Sequence, residues 1–191
     1  MELLKRRICD SGRAIGNDIL KVDSFLNHQL DVQLFQEIGK EFQRRFRTER
    51  ITKILTVEAS GIGVACITAQ YFNNVPVVFA KKSTAKNLNA EVYESNVYSF
   101  TKGAHYIIRV DKKYLKAEDN VLIIDDFLAN GKAVLGLLDL CRQAGAHAVG
   151  VGIVIEKSFQ EGRGAVLKEN IRLESLARIK SLKEGKIIFM D

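Results

Sequence analysis

The chain has 191 residues, 47% hydrophobic and 27% charged, with one proline, 14 glycines and no low-complexity run, which excludes long disordered linkers and leaves one domain spanning residues 1–191 with a substantial core. Its cysteines, Cys9, Cys66 and Cys141, are odd in number and lack C-x-x-C spacing, which excludes a disulfide framework or a zinc site and suits a reducing compartment. The excess of 29 basic over 23 acidic residues, +6, favours anionic partners such as phosphorylated metabolites or nucleic acid.

The N-terminal stretch MELLKRRICD has no secretory apolar core and no apolar run reaches membrane-spanning length, so a soluble, cytoplasmic chain with no membrane association is expected. Residues through DILKVDSFLNHQLD (18–31) precede the alternating core and are read as a cover for one end of a sheet. A helix is expected from about Asp31 to Arg45, with Leu34, Phe35, Ile38 and Phe42 as its apolar stripe. The basic run RRFRTER (44–50) reads either as a solvated helix end or as part of an anion-binding surface.

From there the pattern alternates. ITKILTVEA (51–59) is a β-branched strand, GIGVACITAQYF (61–72) is helical, and VPVVFAKK (75–82) is a second strand. Residues 82–104 are polar and without helical periodicity, as in a mobile functional loop or an exposed hairpin. VLIID (121–125) is a continuous apolar run that suits a strand buried on both faces. The helix that follows places Val134, Leu137, Leu138 and Cys141 on one face, with Gly145 as its C-cap, before the strand AVGVGIVIEK (148–157). Such alternation predicts an α/β fold of right-handed βαβ units with a largely parallel sheet flanked by helices.

Ligands of open α/β sheets bind beyond the carboxyl ends of the strands. Four clusters are expected there: Glu58–Gly63, Lys81–Lys82, Asp125–Ala133 and Glu156–Lys157. In FLANGKA (127–133) a glycine turn leads into a helix whose first amides lack intrahelical partners, which reads as a phosphate cradle or as an ordinary strand–helix turn. It is not a Walker A loop, since Asp126 and Ala133 stand where glycine and Ser/Thr are required; a dinucleotide fingerprint from Gly61 fails at Cys66. Asp125 and Asp126 are acceptors suited to ribose hydroxyls and are expected to be solvated or ligand-facing, with turn-capping as the alternative. Acceptors for hydroxyls beside a phosphate cradle describe a 5-phosphoribosyl group.

VLIIDDFLANGKA (121–133) resembles the phosphoribosyl diphosphate (PRPP) signature of the type I phosphoribosyltransferases. VEASGIG (57–63) resembles that family's pyrophosphate loop, and residues 81–104 its flexible catalytic loop. With KVDSFLNHQ (21–29), VYSFTK (97–102) and GIVIEKSFQ (152–160), the resemblance covers nearly the whole chain and is closest to bacterial members that use xanthine.

The resemblance implies that Asp125 and Asp126 hold the ribose hydroxyls and stabilise the transition state, while Ala129, Asn130, Gly131, Lys132 and Ala133 wrap the 5-phosphate. Glu58, Ala59, Ser60 and Gly61, with Lys81, would face the pyrophosphate; Leu20, Asn27 and Lys157 would contact the purine under a hood built from about 1–35 and the region after 157. A lysine donates and cannot accept, so Lys157 suits a carbonyl and favours 6-oxopurines over adenine. Without the resemblance, Lys157 reads as a solvated strand end, Leu20 as packing and Asn27 as a turn residue. Many members have Thr-Gly-x-Thr in the phosphate loop, where this chain has Asn130-Gly131-Lys132-Ala133. Hypoxanthine–guanine members place an aspartate, the candidate base, where Ala129 stands. The implied activity is conversion of xanthine and PRPP to xanthosine 5'-monophosphate and pyrophosphate, a purine-salvage step. It needs Mg²⁺ carried on PRPP and no organic cofactor, in a homodimer without nucleic acid. The rival readings are a guanine- or hypoxanthine-preferring transferase and a PRPP-sensing regulator that binds DNA.

Overall fold

The computed structural model describes residues 1–83, 91–99 and 103–190. In chain order they form α1 (Glu2–Ser11), β1 (Arg13–Ile15), β2 (Ile19–Lys21), α2 (Val32–Arg45), β3 (Lys53–Val57), α3 (Ser60–Gln70), β4 (Val77–Ser83), β5 (Val92–Ser99) and β6 (Ala104–Asp111). Then come β7 (Asn120–Leu128), α4 (Lys132–Ala144), β8 (His147–Lys157), α5 (Gly162–Leu167), β9 (Leu173–Ser181) and β10 (Ile188–Phe189). A single π-helical turn, Asp23–Asn27, links the β1–β2 hairpin to α2.

Among the described residues eight strands make one sheet in the order β10-β9-β8-β7-β3-β4-β6-β5. The run from β9 to β4 is parallel, and β10, β6 and β5 are antiparallel additions at its two edges. The βαβ units expected from the alternation are β3–α3–β4 and β7–α4–β8. Alternate residues of the central strands supply two cores. Ile54, Leu122 and Ile124 pack with α1, α2 and α3 on one face; Leu55, Val121 and Ile123 pack with α4 on the other. Helix α2 begins where Asp31 accepts the Leu34 amide at 3.0 Å, and its stripe of Leu34, Phe35, Ile38 and Phe42 is buried.

One strand runs past its expected end, and two readings left open by the sequence are narrowed. Strand β7 does not stop at Asp125 but carries both aspartates within it, because β8 goes on pairing through Phe127 and Leu128. The polar stretch 82–104 contributes β5, paired along its length with β6, so its described part is a hairpin strand. Residues 84–90 and 100–102 of that stretch lie outside the described residues. The basic run after α2 is largely consumed locally: Arg44 and Arg45 bind Glu41, Arg45 also reaches Glu174, and Phe46 is buried. No helix among the described residues is long and apolar enough to cross a membrane.

Phe42 has no exposed surface, and its ring lies over Gly152 of β8, where a Cβ would approach it to 2.8 Å. Truncation leaves a cavity that the glycine opposite cannot fill. Phe42→Ala is expected to lower unfolding free energy by about 3–5 kcal/mol, read from urea denaturation; a loss under about 1 kcal/mol would show that α2 is not part of the cooperative core.

Candidate active site

The carboxyl ends of β3, β4, β7 and β8 converge on one rim. From β3 the chain enters the turn Glu58–Ala59, a cis peptide, and then α3. Gly61 sits so close to β3 and β7 that a Cβ there would lie 2.1 Å from Thr56 Oγ1 and 3.1 Å from Asp125 Oδ1. That closeness is what brings the Glu58–Gly61 turn onto the acidic pair. The Glu58 carboxylate accepts the backbone N–H of Lys82, which ties the turn to β4.

From β7 the chain turns through Ala129–Asn130 into α4. Gly131 is the N-cap, with φ of +79°, and no side chain caps the helix. The amides of the first turn of α4 are therefore available to an anion, with the helix dipole behind them. Lys132 is exposed, while Asn130 and Ala133 are half-buried beside the cradle. Behind the loop lies α5: the Gly162 N–H donates to Ala129 O at 2.9 Å, and a Cβ on Gly162 would fall 2.2 Å from that oxygen.

Two adjoining cavities result. One, of about 160 Å³, is lined by Ala129 through Val134 with Tyr98, Tyr106, Phe127 and Leu128. The other, of about 230 Å³, is lined by Glu58 through Gly61, Lys82, Asp125 and Asp126. Tyr106, Phe127 and Ala133 border both.

The acidic pair lines the second of them. Adjacent residues of a strand point to opposite faces. Asp126 meets the N-terminal segment, accepting the Asn27 amide at 2.6 Å on one oxygen and the Phe127 N–H at 2.9 Å on the other. Asp125, expected to be solvated or ligand-facing, is only 4% exposed, lines the second cavity and accepts the Asp126 N–H at 3.1 Å. Burial, and then the charge of Asp126, push its carboxyl well above the usual range, against the pull of that N–H and of Lys82. Tyr106 is likewise raised, by burial and then by Asp125, so it remains a neutral phenol.

Over the second cavity stands the N-terminal segment. The Lys157 ammonium, at the end of β8, donates to Asp18 O at 2.6 Å and lies 5.7 Å from the centroid of the Phe127 ring. Burial lowers its pKa, partly offset by Asp18. Leu20 is buried on β2, and Asn27 closes the π-helical turn.

The structure thus gathers Glu58–Gly61, Asp125, Asp126, Ala129–Ala133, Asn27 and Lys157 around one rim. Lys81 is placed elsewhere. It lines a cleft of about 800 Å³ over β4 and β6, and its neighbour Lys82 lines both that cleft and the cavity of the acidic pair. The two lysines share that cleft, and what distinguishes them is that Lys82 also reaches the acidic pair. Tyr106 and Gly162, absent from the sequence reading, come from β6 and α5, for which no local pattern pointed to the site.

The family described as phosphoribosyl transferase domain matches residues 22–175. Over 191 residues, all of both chains, the sequence is 61% identical to a Clostridium novyi (strain NT) protein named xanthine phosphoribosyltransferase. A Clostridioides difficile (strain 630) protein of the same name is 60% identical over 190 residues, 99% of this chain and all of the relative. Among solved structures the fold matches an adenine phosphoribosyltransferase from Giardia lamblia complexed with 9-deazaadenine, with a TM-score of 0.77 and 23% identity, over 92% of this chain and 97% of that one. An adenine phosphoribosyl transferase from Trypanosoma brucei, in complex with AMP, pyrophosphate and ribose-5-phosphate, matches with a TM-score of 0.75 and 20% identity, over 92% and 79%.

An acid whose folded pKa is raised loses stability as pH climbs from its unfolded value through its folded one. Asp125→Asn removes that loss and keeps an oxygen for the Asp126 N–H. At neutral pH the variant is expected to melt about 2 °C or more above the parent, the gap closing toward pH 4, as read by calorimetry across pH. An equal or lower melting temperature at neutral pH would show that burying this carboxyl costs the fold nothing.

Proposed function

We propose that this chain, which belongs to the phosphoribosyl transferase domain family, converts xanthine and PRPP to xanthosine 5'-monophosphate and pyrophosphate, a purine-salvage reaction. The observation that carries the reading is that Asp125 and Asp126 share one cavity with the Glu58–Gly61 turn and with Ala133 in the uncapped first turn of α4. The naming of full-length relatives at about 60% identity supports xanthine as the base.

In this reading the α4 amides, with Ala129 to Ala133, take the 5-phosphate, and Asp125 and Asp126 take the ribose hydroxyls. The backbone of Glu58 to Gly61, with Lys82, faces the leaving pyrophosphate. Lys81, beside Lys82 on the neighbouring cleft, is assigned to the same pyrophosphate. The bond from the anomeric carbon to the pyrophosphate oxygen breaks with its electron pair leaving on pyrophosphate. The purine enters as its anion, its ring proton already lost to solvent, and that ring nitrogen supplies the pair that forms the new bond, while the sugar passes through oxocarbenium character that the carboxylates stabilise.

Residues 1–35 and the region after 157 serve as the hood, and both polar side chains assigned to the purine are already committed there. A purine carbonyl would replace Asp18 O on Lys157, and a ribose hydroxyl would compete with Asn27 for Asp126. Leu20 supplies an apolar wall. Mg²⁺ enters on PRPP, and Asp125 and Asp126 offer hard carboxylate oxygens that suit it. Bound there, it would neutralise charge on the departing pyrophosphate.

A homodimer in the cytoplasm completes the reading, supported by Phe79 and Tyr114 exposed beside the 800 Å³ cleft and by three free cysteines. Neither a guanine- or hypoxanthine-preferring enzyme nor a DNA-binding regulator is named among the relatives described above.

The test is nucleotide formation from Mg²⁺, PRPP and each of xanthine, guanine, hypoxanthine and adenine. Xanthine is expected to give the highest kcat/KM. Lys157→Met is expected to cut that value by about 10- to 100-fold, the worth of a hydrogen bond from a charged donor, with the KM for PRPP nearly unchanged. Preferred turnover of another purine would overturn the base assignment; no nucleotide from any base would overturn the activity.

A further inference from the structure

We propose that Glu156 is a positioning residue that holds the purine pocket and the phosphate loop in register. The inference rests on the function proposed above and extends it to a side chain facing neither substrate. Glu156 has no exposed surface, at the end of β8. One oxygen accepts the Ser158 hydroxyl at 2.6 Å and Arg178 Nε at 3.1 Å; the other accepts Arg163 at 2.7 Å and the Ser175 hydroxyl. A buried carboxylate with four donors, two of them cationic, is fully compensated. Burial alone would raise its pKa, yet the two serines and Arg163 hold it below the usual range.

The four donors divide into an anchor and two arms. Ser175 and Arg178 belong to β9 and fix the carboxylate to the sheet. Ser158 is one arm: its bond back to Glu156 closes the turn that directly follows Lys157, and so sets where that ammonium sits over Phe127. Arg163 is the other arm. It follows Gly162, the residue whose N–H holds Ala129 O and whose Cα leaves no room for a side chain against Ala129 and Gly131. The tether to Arg163 therefore sets the depth at which α5 supports the phosphate loop. A cluster serving stability alone would require no such division between the two subsites.

The test is steady-state kinetics on the folded fraction of Glu156→Gln, Ser158→Ala and Arg163→Met, alongside thermal melts. Ser158→Ala is expected to raise the KM for xanthine by about 5-fold or more while leaving that for PRPP within about 2-fold; Arg163→Met is expected to do the reverse. Glu156→Gln is expected to raise both by about 5-fold or more. A lowered melting temperature with both KM values unmoved would overturn the proposal, as would arm variants that shift the same KM equally. If Glu156→Gln does not fold, the two arm variants decide. Should the parent form no nucleotide from any purine, the proposed function fails; a parent that makes xanthosine 5'-monophosphate with unmoved variants sinks only the role of Glu156.

Discussion

Two carboxylates side by side at the end of a central strand, one of them almost wholly buried, are the constraint around which the rest is arranged. Like charges this close are costly in a low-dielectric setting, and local relief is partial: a backbone N–H and Lys82 for Asp125, an amide and an N–H for Asp126. A fold keeps such a pair where a ligand completes it. The sheet supplies the placement, since β7 lies between β3 and β8 and its end opens between two turns that present backbone amides.

The two turns are brought to the pair by different means. Gly61 lets the start of α3 press against Thr56 and Asp125, so the Glu58–Gly61 turn closes one side. Gly131 and Gly162 let the other loop and α5 meet backbone to backbone. The turn Asn130–Ala133 carries no side-chain hydroxyl and no side chain caps α4, so its main-chain amides are left open. Main-chain donors keep their geometry whatever residue carries them, so Ala133 still presents its N–H although it lacks the extra hydroxyl donor. The N-terminal segment then covers the rim through Asn27 and Lys157, holding it by hydrogen bonds that ligand groups can exchange.

Much of this was legible in the sequence, for physical reasons. Helix α2, the strands β3, β4, β7 and β8 and the helix α4 carry strong periodicity or unbroken apolar runs, and Gly145 caps α4 in the left-handed conformation as read. The acidic pair and its glycine turn are local in sequence, so their chemistry could be reasoned out together. What could not be read depends on distant partners. Asn27 and Asp126 are 99 positions apart, and Arg178 reaches Glu156 from the neighbouring strand β9, 22 positions on. The burial of Asp125 follows from α3 packing on β7, which no local pattern encodes. The extension of β7 through its aspartates comes from pairing with β8, which overrides the poor strand propensity of aspartate. The hairpin strand β5 is polar because one side of it faces outward, and polarity alone could not distinguish it from a loop.

The central claim, that the acidic pair is retained for sugar hydroxyls and the α4 amides for phosphate, is tested most directly by calorimetric titration of two probes into the parent and into Asp126→Asn. The probes are ribose 5-phosphate, which offers both groups, and inorganic phosphate, which offers one. Affinity for ribose 5-phosphate should fall by about 10-fold or more in the variant while that for inorganic phosphate stays within about 2-fold. Equal losses for both probes, or no loss for either, would contradict the assignment of the aspartate to the sugar.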